Sequence, residues 1–455
     1  LMKVLVTGAT GFIGKELIKK LNANGHEILV LTRNSDAAKF HIPVHCEIVT
    51  WDPEKYSLSP SVLKGVDAVI NLAGEGIADG RWTPERKRVL IQSRLLSARR
   101  LIDAISYMNS KPKVFLSASA IGFYGDQGDQ LLNEESAKGS GFLSQVCQNW
   151  ENEIFKAKDF GIRTVALRIG MVLGHDGGAL EKMLPPFQLG VGGKLGSGTQ
   201  WMSWIHIHDL VEMMAFSIEN PSADGIYNAV SPNPVRNREF TKILGQELKR
   251  PTLFPVPKFI LKIVLGELSE LLLGSQRVIS KKISDRGFKF KYPQVQEALK
   301  EVCGNPYHEI KTEQWVPQPL DKTFLFFKDA KNLEKLTPKF LKFKVLNQST
   351  PEIKEGTKLN YRISLHGFPV GWQSKIIDWK PDKKFSDVQL KGPYSYWHHT
   401  HEFEEKNGGT LIRDRVLYKV PFGIPGDLVG GGWVRKDLEN IFTYRQKTIE
   451  TLLAH

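Results

Sequence analysis

The chain has 455 residues, of which 41% are hydrophobic, enough to fill two or three separate cores. No apolar run reaches the roughly 18 residues that a membrane-spanning helix requires, so a helical membrane protein is excluded. The net charge of +13 comes from 62 basic and 49 acidic residues mixed along the whole chain. Without a basic arm, zinc finger or recognition-helix pattern, that balance describes a solvated basic surface suited to anionic small molecules, not a nucleic-acid interface.

Three widely spaced cysteines (Cys46, Cys147, Cys303) cannot form a disulfide framework and fit a reducing cytoplasm. The sequence opens directly on a strand, so neither a signal nor a transit peptide is expected ahead of it.

That opening stretch, Lys3 to Gly14, reads KVLVTGATGFIG. Lys3–Val6 is short, apolar and Val-rich, as a buried parallel strand should be. From Phe12 the apolar residues recur at helical spacing, and Gly25 is a stop signal. Between them lies a Gly-x-x-Gly-x-x-Gly turn. Gly8 permits the tight turn, Gly11 lets backbone approach a pyrophosphate, and Gly14 lets helix and strand pack closely. The helix N-terminus then presents free N–H groups and a partial positive charge to the phosphates.

Further strands are predicted at Glu27–Asn34, His45–Thr50, Asp67–Asn71, Val114–Ser117 and Arg163–Leu173. A long helix opens at Thr83-Pro84 and runs to about Tyr107, with proline at its first position. Strands alternating with helices at this rhythm predict a doubly wound parallel sheet with ligands at the carboxyl ends of its strands. Thr32, Arg33, Asp52, the small run Leu72-Ala73-Gly74 and Ser119 all fall at such ends. Arg33, with no acid before Asp36, favours the 2′-phosphate of NADP over the ribose hydroxyls of NAD.

The string TGATGFIG resembles the extended short-chain dehydrogenase/reductase superfamily. There, a Tyr-x-x-x-Lys pair on the helix after the fifth strand moves the proton, and a serine polarises the carbonyl. The matching helix here, GFLSQVCQNWENEIFK, aligned on Glu151, has Leu143 for the tyrosine and Cys147 for the lysine; only the serine, Ser119, is kept.

The strings NLAGEGIADGRW, SASAIGFYG, FLSQVCQNWE, LRIGMVLGHDGGAL, LGVGGKLGSGTQWMSWIHIHDLV and GSQRVISKKISDRGFKFKYP together resemble one atypical subgroup. It is the epimerase-family proteins that lack that pair and carry a C-terminal epimerase-associated segment. The resemblance covers residues 2 to about 302. It implies an NADP site on Gly8, Thr10, Gly11, Phe12, Ile13, Gly14, Thr32, Arg33, Asp52, Leu72, Ala73 and Gly74.

For acid–base work three residues stand out. Tyr124 follows the serine strand and either faces the nicotinamide or packs in its loop. Glu75 either reaches the nicotinamide or caps the next turn. Cys147 is an unusual acid or, as a lone cysteine on an apolar face, ordinary core. Arg168 clamps an anionic substrate or pairs with a carboxylate.

The remaining features of this half are expected to build a substrate lobe over about 170–302. VGGKLGSGTQ reads as a mobile loop there, His208-Asp209 as a helix cap, and ILKIVLGELSELLLG as core or, failing that, an interface or membrane-surface contact. His206 and His208 lack further ligands, so no metal is expected.

Near Cys303-Gly304-Asn305-Pro306 the alternation stops, which sets the domains at 1–304 and 306–455. A strand at His308–Val316, helix at Lys322–Glu334, six strands and a final helix over about 425–453 follow. GPYSYWHHTHEFEEKNGGTLIRDRVLYKVPFG looks like ligand-binding members of the START-like, polyketide-cyclase-like fold, so the fold class expected is an α/β Rossmann domain followed by an α+β helix-grip domain. Trp372, Trp379, Tyr394, Tyr396, Trp397 and Phe403 either line an apolar or lipid-like ligand's pocket or fill core. His399 and His401 share a strand face but lack a third ligand; they are expected instead to line the pocket or to pair with Glu402 and Glu404.

The function implied is an NADP-dependent oxidoreductase or epimerase acting on a small molecule. The alternative is a cofactor-sensing binding protein without turnover.

Overall fold

The computed structural model describes residues 1–175, 177–304, 307–365, 367–420 and 432–454. They form two compact units, Leu1–Ser35 with Cys46–Gly304, and Asp36–His45 with Asn305–His455.

The first unit is built on seven parallel strands: β1 (Lys3–Thr7), β2 (Glu27–Thr32), β3 (Glu47–Thr50), β4 (Ala68–Asn71), β5 (Val114–Ala120), β6 (Arg163–Ile169) and β7 (Gly225–Ala229). Their spatial order is β7-β6-β5-β4-β1-β2-β3. The order reverses between β1 and β4, which opens a crevice at their carboxyl ends, the ligand-binding position of such sheets. The central strands are buried on both faces; Val4, Leu5, Val6, Val69, Ile70 and Leu116 are fully enclosed. Three helices matter for the site. They are α1 (Phe12–Ala23), α2 (Pro84–Ser106), capped by the Thr83 hydroxyl accepting from Arg86 N–H, and α3 (Phe142–Ile154).

Beyond β6 the chain adds helix α4 (Gly178–Gln188) and further short elements. Three expectations change here. The glycine-rich stretch 191–200 is tied down: Gly196 N–H donates to Val256 C=O at 2.8 Å, and Leu195 N–H to Asn237 Oδ1 at 2.8 Å. The helix Ile207–Glu219 is capped by His206, whose Nδ1 accepts from His208 N–H, because Asp209 is instead buried and receives the N–H groups of Lys291 and Tyr292. The amphipathic segment from Phe259 buries little. Phe259, Ile263 and Val264 are exposed, while Arg81 closes off the carbonyls of Ile263 and Val264.

The second unit is a seven-stranded antiparallel sheet. Its strands are β8 (His308–Val316), β9 (Lys344–Gln348), β10 (Lys358–Leu365), β11 (Phe368–Lys380), β12 (Lys384–Lys391), β13 (Tyr396–Lys406) and β14 (Gly409–Lys419). The order is β8-β14-β13-β12-β11-β10-β9, so the first strand pairs with the last. Between β8 and β9 the single expected helix is two, α5 (Leu320–Lys328) and α6 (Ala330–Lys335). Asp329 interrupts them by leaving helical geometry and capping the second.

The closing helix α7 (Gly432–Leu452) carries a buried stripe, Leu438, Phe442, Arg445, Gln446 and Ile449, at helical spacing. The earlier part of the helix expected from residue 425 lies outside the described residues. Inward-facing Trp397, His399, His401 and Phe403 alternate with outward residues along β13. Trp372, Tyr394 and Trp397 pack against one another in tilted and edge-to-face arrangements with ring centroids 5.0–5.5 Å apart, so in this region the aromatics fill core.

Candidate cofactor-binding site

The crevice between β1 and β4 is made of backbone packed at close quarters. Gly8 has φ +72°, and a Cβ placed there would stand 2.8 Å from the Leu72 carbonyl carbon. A Cβ on Gly14 would stand 2.2 Å from the Gly8 carbonyl oxygen. Only glycine fits either position. Gly11, at the N-cap of α1, has no side chain to cap the first-turn N–H groups of Phe12, Ile13 and Gly14. Those donors and the helix dipole form an anion seat. Thr10 is exposed at the turn. The Phe12 ring turns the other way and rests on the glycines of residues 174–178; Cβ atoms on Gly174 and Gly177 would lie 2.6–2.7 Å from it.

The far wall, Leu72-Ala73-Gly74, is held by a polar network that the sequence reading did not identify. Thr7 Oγ1 donates to Asn71 Oδ1 at 2.7 Å and accepts from the N–H groups of Leu72 and Ala73 at 3.2 Å. Ser97 also donates to Asn71 Oδ1, and the Asn71 amide donates to Ser117. All four side chains are buried. The legible signal was positional: a threonine and an asparagine ending adjacent buried strands need partners.

Beyond this wall the charges gather. Arg33, exposed at the end of β2, lies 3.4 Å from Glu75 Oε1, and Arg86 Nη1 lies 3.5 Å from Oε2. Arg86 and Arg94 grip the same turn by donating to the carbonyls of Gly76 and Glu75 at 2.7 and 3.0 Å. Thr32 Oγ1 lies 3.4 Å from Asn34 N–H at the end of β2. Asp52 is committed to a turn, accepting from Glu54 N–H at 3.1 Å and pairing with Lys55.

The residues expected to move protons are brought together, but with one another. Ser119 Oγ donates to Glu151 Oε1 at 2.7 Å. Arg168 grips Glu151 through Nε and Nη2, both at 2.8 Å, and donates from Nη1 to the Tyr124 hydroxyl at 2.9 Å. That hydroxyl donates to Asn228 Oδ1 at 2.7 Å. Arg168 also stacks 3.4 Å from the Phe123 ring centre.

Tyr124 is fully buried, and burial pushes its phenol above the ordinary value. Of the two positions open to Tyr124, the structure adopts packing in its loop, with the hydroxyl held between Arg168 and Asn228. Ser119 Oγ is likewise held by a protein partner, the Glu151 carboxylate. Of the two roles open for Arg168, the structure adopts pairing with a carboxylate.

Cys147 is buried against Gly122, and burial, with Glu151 next along the helix, pushes its thiol up to about 12. It stays a neutral thiol. Leu143 stands beside it against the same glycine. Glu75 alone among the expected catalytic residues remains partly open to solvent.

His206 pairs with Glu301 at 2.9 Å, and His175 lies 3.3 Å from the same carboxylate. Hydrogen bonds from His175 and His206 hold Glu301 well below the usual carboxylate range.

Comparison with known proteins places this geometry. The family model described as "NAD dependent epimerase/dehydratase family" matches residues 4–230, and one described as a domain of unknown function, DUF1731, matches 256–302. The "Epimerase family protein SDR39U1 homolog, chloroplastic" of Arabidopsis thaliana is 42% identical over 306 residues, covering 66% of this chain and 86% of that protein. The epimerase family protein YfhF of Bacillus subtilis is 36% identical over 305 residues, covering 67% and 99%. The human epimerase family protein SDR39U1, solved with NADPH, superposes with a TM-score of 0.60 at 33% identity over 67% of this chain and 100% of that one. A glycine-cradled crevice with an open helix start thus belongs to a chain that is a member of the NAD dependent epimerase/dehydratase family, of the SDR39U1-like kind, with DUF1731 over residues 256–302.

Proposed function

We propose that the first unit binds NADP(H) and holds it without the tyrosine–lysine proton relay of its wider superfamily. The observation that carries this is the uncapped start of α1 beside the Gly8 and Gly14 cradle. Arg33, projecting at the end of β2, supports the 2′-phosphate assignment, as does the NADPH held by the human relative. Titration of the protein with NADPH and NADH, followed by cofactor fluorescence, tests the reading. Arg33→Ala is expected to weaken NADPH about tenfold, the scale of one lost charge-assisted contact, and to leave NADH nearly unchanged. Equal losses for both cofactors would reject the role given to Arg33.

The packing of Leu143 and Cys147 and the internal use of the Ser119 and Tyr124 protons favour a binding or sensing role. The competing reading, an oxidoreductase or epimerase of unknown substrate, is favoured by one residue. Glu75 follows the end of β4 with its carboxylate partly exposed and one arginine beside each of its oxygens. Hydride turnover with a panel of carbonyl compounds that disappears in Glu75→Gln, while NADPH still binds, would select the enzyme.

For the second unit we infer a START-like helix-grip fold. Support comes from the strand order, with first and last strands paired, the two helices after β8, and the long closing helix whose Phe442 and Arg445 reach the inner face of β13. The three free cysteines support a reducing, cytoplasmic setting.

A further inference from the structure

The inner face of the second unit's sheet holds two histidines, two aspartates and an arginine, enclosed by aromatic rings. His399 and His401 lie two residues apart on β13, their rings 3.9 Å between centres. Strand register supplies the partners. Asp387 on β12 is opposite His399, and Asp414 on β14 is opposite His401. Arg445 reaches in from α7. His399, His401, Asp414 and Arg445 are 3–7% exposed. Phe385, Phe442 and Phe327 stand 4.5–5.9 Å from the imidazoles, so charges here are poorly screened by water.

Asp414 fixes which nitrogens carry protons. Its Oδ1 lies 3.0 Å from His399 Nε2 and 2.6 Å from His401 Nδ1. At such distances both nitrogens must be N–H donors, since a lone pair facing a carboxylate oxygen would be repelled. Arg445 Nη2 is 3.4 Å from His401 Nδ1, too far to compete for that position. With both imidazoles neutral, the remaining nitrogens, His399 Nδ1 and His401 Nε2, present lone pairs. Both face Asp387 Oδ2, at 3.3 and 3.7 Å. Three acceptors thus converge with no donor between them. The three ligand atoms all lie within 4.8 Å of one another.

A cation must separate such groups. A proton shared between a histidine and Asp387 would draw them to about 2.7–2.9 Å. Ligands of one tetrahedral metal, with bonds of about 2.0–2.1 Å, stand about 3.3–3.4 Å apart; His399 Nδ1 lies at that spacing from Asp387 Oδ2, at 3.3 Å, and His401 Nε2 a little beyond it, at 3.7 Å. A ligating histidine typically donates its other N–H to a carboxylate, as both do here to the single Asp414.

Charge agrees. With neutral imidazoles the two aspartates and Arg445 sum to minus one, and a divalent ion carrying one hydroxide brings the cluster to neutrality. Arg445 Nε, buried without a hydrogen-bond acceptor among the described residues and 3.7 Å from Asp414 Oδ2, supplies the balancing positive charge.

We propose that Asp387, His399 and His401 bind a divalent first-row transition ion, zinc or iron(II), leaving at least one coordination position for water or a ligand, with Asp414 orienting both histidines. Two imidazoles and one carboxylate suit those ions and leave the site incomplete by protein ligands alone.

The test uses the full chain. Metal content of freshly purified protein is measured by mass spectrometry. Chelator-treated protein is then titrated with zinc and, under argon, with iron(II). About one equivalent is expected, with a rise in Tm of the second unit on metal addition. Asp387→Asn, of the same shape, is expected to weaken binding at least ~100-fold, and Asp414→Asn about 10- to 100-fold. Glu402→Gln, on the outward face of β13, is expected to bind as the wild type does. Failure of the chelator-treated wild-type chain to take up either ion would overturn the proposal and leave the cluster as one held by a shared proton. Uptake that survives Asp387→Asn unchanged would overturn it equally.

Discussion

Gly14→Ala is expected to lower NADPH affinity at least tenfold, about 1.4 kcal/mol, and to destabilise the first unit by about 1–3 kcal/mol. Helix propensity alone predicts the opposite sign, since alanine in a helix is better than glycine by about 1 kcal/mol. Contact decides the case. The new methyl would meet the Gly8 oxygen at 2.2 Å and the Ala9 α-carbon at 2.6 Å, both backbone atoms of the phosphate turn with no side-chain freedom to yield. Helix α1 must shift away from β1, and the N–H groups that would meet the phosphates move with it. Isothermal titration with NADPH and a urea melt read the two effects separately. A variant that is more stable and binds equally well would mean that the helix start is not where the dinucleotide rests.

The second large effect lies in the buried pair behind the crevice. Arg168→Met is expected to destabilise the chain by about 3–5 kcal/mol, because it strands the Glu151 carboxylate in a dry environment. The side chains of Arg168 and Glu151 are 2% and 6% exposed, so solvent cannot rescue the orphaned charge. Glu151→Leu alone strands the guanidinium over the Phe123 ring and is expected to cost a similar amount. The double replacement removes both charges and should recover more than half of the loss, a coupling that a double-mutant cycle in urea measures directly. Additive losses would show that the pair is not a closed electrostatic unit. Ser119→Ala, by contrast, removes one neutral donor to a charged acceptor and should cost about 1.5–3 kcal/mol.

Much of this was legible from residue order. The strand–glycine turn–helix at the start declares itself, because three glycines at fixed spacing answer three different steric demands, and those on Gly8 and Gly14 are met in space. Arg33, Asp52 and Leu72–Gly74 could be placed at strand ends by counting elements. What could not be read was pairing across the fold. Helical register on α3 and the order of β5 and β6 decide that Glu151 meets both Ser119 and Arg168, a set of ties that residue order alone does not reveal.

The same gap hid the buried cluster of the second unit. His399 and His401 were visible as neighbours on one strand, but Asp387 and Asp414 lie on the flanking strands and enter only through register. Glu402 and Glu404, expected as partners by proximity, fall on the opposite face, where Glu404 pairs with Arg413 at 2.6 Å. The amphipathic segment after Pro257 misled for a related reason: its periodicity specifies an apolar face, not what covers it.

The lodging of the Phe12 ring over Gly174 and Gly177 has a consequence for how variation in this chain should be judged. The donors that open α1 are anchored from behind by glycines more than a hundred and fifty positions downstream, in the lobe that begins after β6. A single methyl added there would have to displace the ring of Phe12, the first residue of α1. Positions 174 and 177 are therefore coupled sterically to the start of α1, although they lie in another part of the chain.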